Sequence, residues 1–116
     1  MKKDELKELL HEVGIPVNEG IASQENVGKY PRIVYWPYIE QDHTASGEEY
    51  YNQVTYQISL FARIPQCDEY KKLRNLLRNA GVRPVFYHEY VENDPVFERT
   101  WHTYCAIEVT EELDDA

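Results

Sequence analysis

Four histidines, two cysteines and many acids are the side chains with chemistry to offer. Their spacing decides what they can do. His88 and His102 fall on two segments that read as a hairpin, so they can be neighbours, with Glu89, Glu92 and Glu98 nearby. Short-range metal sites use spacings such as HxH or HExxH, which bring two ligands to one point, and neither occurs. Cys67 and Cys105 lie far apart in no metal-like pattern, and their usage fits a reducing compartment better than a disulfide framework. A nucleophilic cysteine needs a polar setting beside a histidine, whereas Cys105 falls among the apolar positions of its segment and reads as an inert thiol. No glycine-rich phosphate cradle is present. The expectation is therefore a chain without catalytic, metal or cofactor-binding residues, one that is not an enzyme and needs no cofactor.

The element that organises the chain is the run 49–64, EYYNQVTYQISLFARI. Tyr50, Val54, Tyr56, Ile58, Leu60, Ala62 and Ile64 share one parity. Tyr51, Gln53, Thr55, Gln57, Ser59, Phe61 and Arg63 share the other. Successive strand residues point to opposite faces, so this is a strand with one apolar and one mostly polar face, placed centrally in an antiparallel sheet. Ahead of it, Asp4 is the expected cap of a helix whose Leu6, Leu9, Leu10 and Val13 form an apolar stripe. Gly14 and Pro16 end that helix. Residues 15–21 leave room for a short edge strand around Val17, and 22–30 read as a polar loop with Gly28. Residues 32–40, RIVYWPYIE, read as a strand with large side chains on both parities. Pro37 cannot donate to a ladder, which demands an edge or a bulge there.

Residues 41–48, QDHTASGE, read as a polar hairpin loop, either a mobile surface loop or an arm that orders on a partner. A second helix follows over 69–80, capped by Asp68, with Tyr70, Leu73, Leu76, Leu77 and Ala80 as its stripe and Gly81 as its stop. Strands over 84–91 and 97–109 flank the turn cluster Glu92-Asn93-Asp94-Pro95. A frayed acidic tail runs from about residue 111. The sum is one α+β domain over 1–116. It has two layers, a mostly antiparallel sheet of four or five strands and two helices packed on one face. The expected core is Leu6, Leu9, Leu10, Val13, Val54, Tyr56, Ile58, Leu60, Leu73, Leu77, Phe97 and Ile107.

A net charge of −9 argues against a nucleic-acid reader and against anionic membranes. No segment reaches the roughly 20 apolar residues of a membrane span, and the first residues, MKKDELKELL, read as a helix rather than a signal peptide. Ten tyrosines, with apolar rings and polar tips, suit partly buried sheet faces and protein interfaces.

Taken in order, the leading helix ending in GIPV, the strand YPRIVYWPYIE and the strand EYYNQVTYQISLFAR precede the helix DEYKKLRNLLRNAGV and the hairpin FYHEYVENDPVFERTWHTYCAIEV. This succession resembles the tail-terminator proteins of long-tailed bacteriophages and prophages, also called tail-completion or head-to-tail joining proteins. The resemblance covers nearly the whole chain and lies in element order rather than in an active-site motif. It implies a structural protein that forms a ring, a hexamer, on assembly, caps the tail tube and meets a head-connector protein. The implied partners are further copies of itself, the tail-tube protein and the head-connector protein, with DNA passing through without specific binding. The implied place is the virion tail–head junction, and the host cytoplasm before assembly. On this reading the interface residues are Trp36 and Tyr38, with Gln41, Asp42, His43, Thr44, Ser46 and Glu48 of the hairpin loop. The alternative reading is a non-catalytic protein-binding adaptor or regulatory α+β module.

Overall fold

The computed structural model describes residues 1–20, 29–45, 49–92 and 99–112. Two helices, α1 (Lys3–Glu12) and α2 (Asp68–Asn79), accompany five strands: β1 (Val17–Glu19), β2 (Arg32–Ala45), β3 (Glu49–Ala62), β4 (Tyr87–Glu92) and β5 (Arg99–Glu112). The strands form one sheet in the order β1-β2-β3-β5-β4. β1 runs parallel to β2 and the other three pairings are antiparallel, so the sheet is mixed and the fold is α+β. β3 is the central strand. It pairs with β2 on one edge and β5 on the other, in a register that sets Ser59 against Val34 and against Tyr104. Three of the strands have 14 residues. At about 3.3 Å per residue each spans roughly 46 Å. The molecule is correspondingly long, with principal extents of 56 × 28 × 22 Å.

The β3 parity holds. Val54, Tyr56, Ile58, Leu60 and Ala62 are buried in one cluster with Leu6, Leu9, Leu10 and Val13 of α1 and Tyr70, Leu73 and Leu77 of α2. Ile33, Tyr35, Cys105, Ile107 and Val109 complete it from the neighbouring strands. Every expected core residue among the described ones is buried, and Phe97 lies outside the described residues. A polar tie anchors α1 to the sheet: Lys3 Nζ lies 3.1 Å from Glu19 Oε1, and this hydrogen bond raises the ammonium pKa. Burial raises that of the Tyr35 phenol alongside.

Several local expectations change. Residues 41–45 are not loop: Gln41, Asp42, His43, Thr44 and Ala45 pair with Gln53, Asn52, Tyr51, Tyr50 and Glu49. Backbone pairing carries the ladder past the end of the apolar pattern, and only 46–48 separate the two strands. The bulge demanded by Pro37 is present. The register shifts between Pro37 and Ile39, leaving Tyr38 as the extra residue. Neither helix has the expected acidic cap. Lys2 and Cys67 hold the cap positions without side-chain bonds, while Asp4 and Asp68 sit in the first turns, where their charge favours the positive end of the helix dipole. The fourth strand begins at Tyr87 rather than at Pro84. Glu111 and Glu112 do not fray, because they pair with Asn52 and Tyr51. The short strand at Val17 exists as β1.

Leu60 is 1 % exposed. Leu60→Ala should therefore cost about 2–5 kcal/mol in denaturant unfolding; a loss well under about 1 kcal/mol would invert the faces assigned to β3. Cys105 offers a second measurement. Burial pushes its thiol from about 9 up to about 12. Between those values the unfolded chain sheds the proton and the folded chain keeps it, so stability falls as pH rises. Cys105→Ala should flatten that alkaline decline, and an unchanged slope would place the thiol in water.

Candidate functional site

The register of β3 sets odd-numbered residues on the face opposite the core parity. Phe61 stands opposite Arg32 and His102, Ser59 opposite Val34 and Tyr104, and Gln57 opposite Trp36 and Ala106. From the next strand Tyr87 faces Tyr104 and Glu89 faces His102. Polar and aromatic residues that the chain holds far apart thus share one patch of sheet.

The rings form a continuous row. Phe61 and His102 stack at 4.7 Å with planes 7° apart, His102 and Tyr104 at 4.6 Å, and Tyr104 and Tyr87 at 5.3 Å. At the other end the Arg32 guanidinium lies between Phe61 and Tyr30, 5.1 and 4.9 Å from their centroids, and Arg63 lies 4.8 Å from Tyr30. Arg32 Nε and Nη1 are buried there with no hydrogen-bond partner among the described residues. The two facing rings offset part of that cost, because cation–π attraction strengthens when the cation is desolvated.

Beneath the rings runs a hydrogen-bonded chain. Glu89 is a carboxylate and only accepts, so His102 Nδ1–H donates to Glu89 Oε1 at 2.8 Å. His102 Nε2 then accepts from the Ser59 hydroxyl at 2.8 Å, and Gln57 Nε2 donates to Ser59 Oγ at 3.2 Å. Hydroxyl, imidazole and carboxylate stand in the order of a serine-hydrolase triad, in which the acid orients the ring and the ring takes the hydroxyl proton. The other requirements of that chemistry are unmet. Ser59 is 0 % exposed, so its oxygen meets no substrate. It also sits in the middle of a paired strand, where backbone N–H groups serve the ladder rather than an oxyanion hole. What the chain of bonds does is fix His102 at both nitrogens, holding the ring flat against Phe61 and Tyr104.

His88 and His102 come out as near neighbours on opposite faces. His88 Nδ1 lies 2.9 Å from Thr103 Oγ1, and its ring meets Tyr70 of α2 edge-on at 5.0 Å. They cannot share a ligand, and no cluster of metal-ligating side chains occurs among the described residues. Both cysteines are buried and free, with thiols pushed up by burial. Of the residues expected at an interface, Trp36 is half-buried on the ring-bearing face and Tyr38 is 49 % exposed at the bulge. Gln41 and Asp42 are exposed strand residues, His43 and Thr44 are strand residues, and Ser46 and Glu48 lie outside the described residues. The sequence reading missed the Ser59–His102–Glu89 chain. The available signal was Ser59 itself, a small hydroxyl on a parity otherwise held by larger side chains.

The chain matches no known family model and no curated protein sequence. No helix among the described residues is long and apolar enough to cross a membrane.

Ser59→Ala should leave His102 and Gln57 each short of a partner and cost about 1–3 kcal/mol of stability. A fluorophosphonate probe should leave Ser59 of the folded protein unlabelled; stoichiometric labelling there would show the hydroxyl to be a working nucleophile.

Proposed function

We propose that this chain is a non-catalytic assembly protein that forms a ring at the end of a phage tail tube and joins the tail to the head connector. The observation that carries the assembly reading is the open edge of β2. β1 covers that strand only at Ile33, Val34 and Tyr35. From residue 36 to 45 it has no strand neighbour on that side among the described residues. β5 is likewise paired with β4 only through Tyr104. Beyond it, Thr110 N–H donates to the Met1 carbonyl. Long exposed strand edges recruit further strands. Tyr38 and Ile39 stand about half exposed beside the open β2 edge, adding apolar area at the place where a partner's backbone would arrive.

The phage role itself rests on the resemblance in element order. It assigns further copies, the tail-tube protein and the head-connector protein as partners, and the virion tail–head junction as the place of action. It needs no cofactor and no specific DNA contact. A chain of net charge −9 suits a ring around passing DNA, because like charge keeps the phosphate backbone from sticking.

Purified protein mixed with tail tubes should give tubes with a ring-shaped cap in negative-stain electron microscopy. Tyr38→Asp combined with Ile39→Lys alters only exposed side chains, so the fold should survive. Tails assembled with that variant should be overlong or fail to join heads. Normal tail lengths and normal infectious yield would remove β2 from the assembly contact.

A further inference from the structure

The open edge of β2 carries a charge pattern that selects its partner. Ile33 N–H donates to the Pro16 carbonyl and Gly20 N–H donates to the Tyr35 carbonyl, so residues 33 and 35 direct backbone groups away from β3. Strand alternation gives Pro37 the same direction, and its missing N–H falls on that edge. The bulge at Tyr38 shifts the alternation by one, so Glu40, Asp42 and Thr44 point their N–H and C=O groups outward. The first two are exposed acids. Their side chains lie on the core-side face, since they stand opposite Val54 and Asn52. Asn52 is 8 % exposed, and its Nδ2 donates to Glu40 Oε1 at 2.6 Å. Its Oδ1 is buried with no hydrogen-bond partner among the described residues. Two carboxylates and an unmet amide oxygen thus share one end of the edge, and all of these oxygens accept hydrogen bonds while none donates.

We propose that this edge takes an extended basic segment of a different protein, which adds as a strand beside residues 40–44 with Lys or Arg at alternate positions. The proposal rests on the assembly reading and names the chemistry of the partner at the β2 edge. An added strand places alternate side chains directly beside Glu40 and Asp42, where opposite charge stabilises and like charge does not. A long cationic side chain there also brings donors across β2 towards the Asn52 oxygen, a buried acceptor that is costly until a donor reaches it. A further copy of this chain is the wrong occupant, because its own edges are acidic. β1 carries Glu19, and β4 carries Glu89 and Glu92, neither with a Lys or Arg. The part of β5 beyond β4 carries Glu108, Glu111 and Glu112. β2 set against itself would bring Glu40 and Asp42 up to their own copies. Each of these pairings adds to the repulsion between chains of charge −9. A basic strand reverses the sign of every such contact, which favours both its arrival and its register.

The test uses two defined peptides and the full chain. Fluorescently labelled TKVKVKVT should bind with a rise in anisotropy, and TEVEVEVT should bind on the order of tenfold more weakly. When the basic peptide binds, hydrogen exchange at the Glu40, Asp42 and Thr44 amides should slow, because the added ladder takes up those N–H groups. Glu40→Lys combined with Asp42→Lys should invert the preference, making TEVEVEVT the tighter ligand. Asn52→Leu should weaken TKVKVKVT about tenfold through loss of the waiting acceptor. Equal binding of the two peptides, binding without slowed exchange at those amides, or binding unmoved by these substitutions would overturn the proposal. So would slowed exchange at the same amides on raising the protein concentration alone, which would make a second copy the occupant. Tubes capped normally by the Glu40→Lys/Asp42→Lys protein would overturn it while leaving the assembly reading in place. Peptide binding as expected, with no cap formed on tubes by the unsubstituted chain, would keep the edge and remove the assembly role.

Discussion

Everything in this molecule depends on β3 being hydrogen-bonded along both edges. A strand paired on one side can slide in register at modest cost, but a strand held by two neighbours moves only if both ladders break. That double pairing fixes which residue opposes which across β2, β3 and β5. It sends Val54, Tyr56, Ile58, Leu60 and Ala62 to the core with α1 and α2. The same register brings Ser59, Phe61, His102 and Tyr104 together on the other face. The hydrophobic core and the ring-bearing face are two readings of one alignment, and a slip of one residue would exchange them.

The polar chain under the rings illustrates how a recognisable constellation acquires a different use. Gln57, Ser59, His102 and Glu89 satisfy one another in sequence, and the hydroxyl that would attack a substrate is sealed. Satisfied networks of this kind specify geometry, since each member has one arrangement that leaves no partner bare. Here the specified quantity is the plane of an imidazole ring within a stack that runs from Tyr87 to Arg32. A half-buried surface rich in Tyr, Trp and Arg has the composition of a protein contact, and rigid rings lose little entropy on contact.

Much of the fold was legible in the sequence because burial imposes periodicity. The β3 alternation and the stripes of both helices come directly from which side chains must leave water. The extension of β2 through Gln41, Asp42, His43 and Thr44 was hidden because its residues are polar and pair through backbone groups that leave no mark on side-chain pattern. The helix starts lie upstream of the expected ones, by two residues in α1 and one in α2, because an acid in the first turn and an acid at the cap serve the same dipole. The Ser59–His102–Glu89 chain needed the register itself. Forty-three residues separate Ser59 from His102 and thirteen separate His102 from Glu89, and no local rule spans those gaps.

The strand order has a consequence for how the chain reaches this state. β5 follows β4 in the chain yet inserts between β3 and β4. Until it arrives, β3 offers a full-length unsatisfied edge with aliphatic residues on one side. During synthesis β2, β3 and α2 emerge first, and the nascent chain must hold that edge open while some 40 further residues follow. Such non-local pairing is slow to form and vulnerable while it waits. The polar parity of β3, with Gln53, Thr55, Gln57 and Ser59, then has a second role besides the ring-bearing face. It keeps one face of the waiting strand hydrated, so less apolar surface stands exposed before the sheet is complete.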